Sequence, residues 1–89
     1  MSFELNLNGK GARLSACFWT NCYEGKASVL MGKRTGSLTA IGKLLPSTHH
    51  GNEPVIVSLT VDPKGKFTAV WGYGGESLTF DMGSCEVLR

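Results

Sequence analysis

From Val55 to Phe80 the chain alternates apolar and polar side chains with a period of two. Val55, Val57, Leu59 and Val61 share one face and Ser58 and Thr60 the other, a spacing that lines one side of an extended strand and no side of a helix. Asp62-Pro63-Lys64-Gly65 interrupts the pattern with proline at the second position of a type I turn and glycine at the positive-φ position after it. Phe67, Ala69, Trp71 and Tyr73 then form the second arm of a hairpin, which ends at Gly74-Gly75.

The same alternation places the other strands. Ser2 to Leu7 turns Phe3, Leu5 and Leu7 inward, and Asn8-Gly9-Lys10-Gly11 supplies the left-handed positions of a tight turn. Ala12 to Trp19 follows, with Leu14, Ala16 and Phe18 inward and Arg13, Ser15, Cys17 and Trp19 outward. Asn21 to Gly25 reads as a turn, Ala27 to Gly32 as a third strand, and Ser37 to Leu44 as a fourth whose small Ala40 and Gly42 imply tight curvature or a close backbone approach. Leu45 to Pro54 is the longest connection. Glu76 to Asp81, with Leu78 and Phe80 inward, and a short Cys85 to Leu88 complete the set.

About eight short strands spaced by about ten residues describe an all-β antiparallel meander, because the connections are too short for helical crossovers. One apolar face per strand must be covered, so the sheet is expected to close into a barrel or fold into a two-layer sandwich. At 89 residues the expectation is a single β domain over 1–89. Phe3, Leu5, Phe18, Trp71, Phe80 and Met82 are expected to fill its interior.

Composition narrows the compartment and partners. No apolar run approaches the roughly 20 residues that span a bilayer, and Met1-Ser2-Phe3-Glu4-Leu5 has no basic region leading an apolar one, so a cytoplasmic protein without membrane contact is expected. Cys17, Cys22 and Cys85 leave one thiol unpaired in any monomer, and without a secretion signal they read as reduced side chains in strands and near a turn. A net charge of +2 is far below that of a dedicated nucleic-acid binder.

In a meander successive turns fall on alternate ends, and this sorts the charges. One end collects Lys10, Lys33, Arg34, Lys64 and Lys66, which with the outward Arg13 are the candidates for binding an anion or nucleic acid. The other collects the longest loop, with His49, His50 and Glu53, near Tyr23 and Tyr73. These five and Trp19 are the candidates for protein interaction.

Catalytic signatures do not assemble. His49-His50 with Glu53 is a poor metal set, because adjacent side chains diverge in an extended segment, and neither a metal nor another cofactor is expected. Cys22 near the histidines lacks a third orienting group, and Glu24, Glu53 and Glu76 sit on a barrel too small for a sugar cleft. Gly36 to Lys43 is one residue too long for a P-loop, with Leu44 where Ser or Thr is required, and Gly72-Tyr73-Gly74-Gly75 precedes no helix. The sequence therefore points to a non-catalytic module, accessory, regulatory or inhibitory in role, that binds another protein or itself. Single-stranded nucleic-acid binding is the alternative, and a small hydrophobic ligand a minor one.

Overall fold

The computed structural model describes residues 2–8, 11–18, 21–47, 53–75 and 77–85. They form β1 (Ser2–Asn8), β2 (Gly11–Phe18), β3 (Asn21–Met31), β4 (Leu38–Pro46), β5 (Val55–Val61), β6 (Lys66–Tyr73) and β7 (Thr79–Ser84). Each strand pairs antiparallel with the next in chain order, giving one seven-stranded meander. An eighth strand at Cys85 to Leu88 is not seen at Cys85, and its remaining residues lie outside the described ones.

Register determines which side chains share a face. Leu7, Ala12, Ala27, Gly42, Val57, Trp71 and Thr79 form one row across the inner face, and the neighbouring rows carry Leu14, Ala16, Tyr23, Leu44, Val55, Leu59 and Ala69. The latter seven are buried. Phe3, Leu5, Val61, Phe67, Trp71 and Tyr73 pack around them. Burial of each such Leu, Val or Phe contributes about 1.5–3 kcal/mol, so this face drives folding.

The sheet curls. Phe3 of β1 meets Phe67 of β6 edge-on with ring centroids 5.8 Å apart, and Tyr23 of β3 meets Tyr73 of β6 at 6.3 Å, contacts that a flat sheet forbids. The curl has a seam in β3 and β4. A Cβ on Gly25 would stand 2.7 Å from the Lys43 carbonyl oxygen, and one on Gly42 would stand 2.8 Å from that of Lys26. Only glycine lets the two backbones approach this closely. The close backbone approach expected at Gly42 is present, and Gly25 of β3 supplies a second one.

Closure is where the structure departs from expectation. Among the described residues β1 and β7 pair with only one neighbour each, so the sheet is a curled, open half-barrel and not a shown barrel or sandwich. β2 ends at Phe18 and β3 begins at Asn21, so Asn21 to Gly25, expected as a turn, belongs to an eleven-residue β3. Hairpin pairing of Cys17 with Cys22 extends the strand through these polar residues. In β7 the register sets Asp81 opposite Ala69 on the inner face, so Phe80 and Met82 turn outward at 60% and 64% exposure, and Leu78 stands at 64% just before the strand. Pairing phase overrode hydrophobicity there: all three were expected inside.

Candidate outer-face interaction site

The outer face divides into two parts. On β1 to β3 it carries Ser2, Glu4, Asn6, Arg13, Ser15, Glu24, Lys26 and Ser28, with Arg13 Nη2 4.0 Å from Glu24 Oε1 and an exposed Leu30 at the β4 border, opposite Thr39. Cys17 and Cys22 face each other there, Cα atoms 4.0 Å apart, and are joined by a disulfide. Direct cross-strand register brings them together and corrects the reading of both as reduced thiols. Cys85 is the free, exposed cysteine.

On β4 to β7 the outer face is apolar. Val70 stands beside Phe80, Met82 beside Thr68, and Leu78 covers Gly72, where a Cβ would lie 3.0 Å from its Cδ2. Ile41 and Ile56, both about half exposed, continue the patch onto β4 and β5, and Leu45 borders it. Hydroxyls interrupt it: Ser58 lies between Ile41 and Val70, and Thr39, Thr60 and Thr68 form a row ending at Met82. The Thr39 and Thr60 Oγ1 atoms are hydrogen-bonded at 2.9 Å. At the end of that row a depression of about 320 Å³ opens between Thr60, Lys66, Thr68, Met82 and Ser84.

The connections follow the expected sorting by end. Asp62 builds the β5–β6 turn: its Oδ1 accepts from the Lys64 and Lys66 N–H groups at 2.9 Å, and Gly65 takes φ +84°. A Cβ on Gly36 would lie 3.1 Å from Pro63 Cγ, so the 32–37 connection abuts this turn. Lys33, Arg34, Lys64 and Lys66 are exposed on that shared end. Arg13 is exposed on β2 beside Glu24, away from them.

β7 is an edge with a guard. The Cys85 N–H donates to the Gly65 carbonyl at 2.6 Å, so alternation turns the Phe80 and Met82 N–H groups to the open side. Asp81 Oδ1 accepts the Met82 N–H at 2.9 Å, occupying a donor that an added strand would need.

The interaction residues expected at the other end separate. Tyr23 is 1% exposed and is a core residue, because its row partner is Ala16 on the inner face. Its hydroxyl bonds that of the half-buried Tyr73 at 2.9 Å. This hydrogen bond first, then burial, then the charge of Tyr73, push the Tyr23 phenol up to about 12. Glu53 is exposed before β5, whereas Trp19, His49, His50 and Lys10 lie outside the described residues. Among the described residues no three His, Cys, Asp or Glu side chains converge as a metal site, and no helix is long and apolar enough to cross a membrane.

The outer residues Ile41, Ile56, Val70, Phe80 and Met82 escaped the sequence reading. Their signal was present: Val55-Ile56-Val57 and Ala69-Val70-Trp71 are apolar on both faces, which breaks simple alternation. No family model, no curated protein and no solved structure matches this chain.

Proposed function

We propose that this protein is a non-catalytic interaction module that binds another protein, or a second copy of itself, through the outer face of β4 to β7. One observation carries the reading: Ile41, Leu45, Ile56, Leu78, Phe80 and Met82 are all exposed on or beside this part of the outer face, and Leu30 of β3 stands at the far end of the hydroxyl row that ends at Met82. Scattered exposed apolar residues are ordinary, but a contiguous group marks a surface that gains by being covered. The rigid, curled sheet beneath holds these side chains in place, which lowers the ordering cost of association.

The test is a Phe80→Ser, Met82→Ser double variant, whose sites are more than half exposed and so leave the core intact. Its far-ultraviolet spectrum and melting point should match the parent, while self-association by sedimentation, or recovery of a stoichiometric partner, falls at least tenfold. Unchanged association in the folded variant sinks the proposal.

Nucleic-acid binding is a second reading, favoured by the abutting 32–37 and 62–65 connections that gather Lys33, Arg34, Lys64 and Lys66. It predicts tryptophan-independent, salt-sensitive binding of oligonucleotides that the double variant retains.

A further inference from the structure

We propose that the outer face of β4 to β7 binds an acidic segment of a partner protein, whose apolar side chains rest on Ile56, Val70, Phe80 and Met82 and whose carboxylates meet Lys43, Lys64 and Lys66. This rests on the interaction reading above and names the partner's chemistry.

Charge is segregated between the two halves. On β1 to β3 the cations Arg13 and Lys26 are interleaved with Glu4 and Glu24. On β4 to β7 the exposed face has Lys43, opposite Ile56, and the adjoining end has Lys64 and Lys66. Among the described residues the carboxylates of this half are turned away or engaged: Asp62 holds two backbone N–H groups of its own turn, and Asp81 lies in the inner-face row and caps Met82. Glu53 is at the opposite end, before β5. Cations therefore bracket the apolar patch, and their field selects a negative partner.

The hydroxyls decide between kinds of partner. Thr39, Ser58, Thr60 and Thr68 lie within the patch, and covering them demands hydrogen-bonding groups in the covering surface. A polypeptide has such groups and acyl chains do not. Phe80 is a single ring set among Ile56, Val70 and Met82, whereas successive bases stack on a series of aromatic faces, which disfavours a single-stranded nucleic acid. The capped Met82 N–H directs the partner onto the face instead of the β7 edge.

The experiment titrates the intact protein with fluorescent twelve-residue peptides alternating Leu with Glu, Leu with Lys, or Ser with Glu, and with phosphatidylserine vesicles and an oligothymidylate. The Leu–Glu peptide should bind at least tenfold more tightly than the other four probes. Raising salt from 50 to 300 mM should weaken it several-fold, as screening of exposed charges requires. A Lys43→Glu, Lys66→Glu variant should reverse the preference toward the Leu–Lys peptide, and Phe80→Ser, Met82→Ser should abolish binding of both. Equal binding of Leu–Glu and Leu–Lys overturns the charge inference and leaves the surface reading intact. Failure of both peptides overturns the surface reading as well. Tighter binding of Ser–Glu, vesicles or oligothymidylate assigns the face to a general polyanion or lipid and overturns the proposal.

Discussion

The two halves of this sheet have the same inside and different outsides. β1 to β3 and β4 to β7 each contribute alternating apolar residues to one inner face, yet the outer face of the first half shows water an arginine, a lysine, two glutamates and a disulfide, with Leu30 at its border opposite Thr39, while that of the second shows isoleucines, Phe80 and Met82. Inner alternation makes the fold. What the outward positions carry separates a charged face from a largely apolar one.

The comparison breaks most completely at the seam between the halves. Gly42→Val places a side chain against the Lys26 carbonyl, where even a Cβ stands at 2.8 Å, and should cost about 3 kcal/mol or more in urea unfolding. Cooperative unfolding at an unshifted midpoint would show that the close approach at Gly42 is not required.

Next is the disulfide of the first half. Cys17 and Cys22 are only five positions apart, so Cys17→Ser with Cys22→Ser should lose about 2 kcal/mol, and hydrogen exchange should rise in β2 and β3 but not in β5 and β6. Uniform loss of protection would mean that the halves do not differ in this respect.

A smaller effect tests the link between them. The folded chain retains the Tyr23 proton up to about pH 12, whereas an unfolded chain surrenders it from its ordinary value of 10.0. Stability is thus fully present below about pH 10 and declines as pH rises toward about 12. Tyr73→Phe removes the hydroxyl partner at a cost of about 1 kcal/mol and should flatten that alkaline limb.

The least effect belongs to the solvent face. Arg13 and Glu24 are half exposed at 4.0 Å, and a double-mutant cycle to alanine should give a coupling below about 0.5 kcal/mol. A coupling above about 1 kcal/mol would give the polar half an electrostatic role that its exposure argues against.

Particular residues show how far the sequence is legible. The β5–β6 hairpin is readable in full, because Asp62-Pro63-Lys64-Gly65 carries its own turn chemistry and both arms alternate. The β2–β3 hairpin is not, because Asn21 to Gly25 has turn composition while these residues are the start of β3. Phe80 and Met82 look like core residues by type, and only their pairing phase with Val70 and Thr68 reveals them as surface. Lys33, Arg34, Lys64 and Lys66 were assigned to one end from chain order alone, since a meander leaves no other choice.

The sequence by itself determined the all-β class, the antiparallel meander and the end on which its charged turns fall, since side-chain alternation and turn residues act over a few neighbouring positions. Tertiary structure decided which face each residue of β7 presents, the burial of Tyr23, the Cys17 to Cys22 bridge and the open curl at Gly25 and Gly42. Those depend on register and on approach between strands, and a one-residue change of register exchanges inside for outside without changing any local preference.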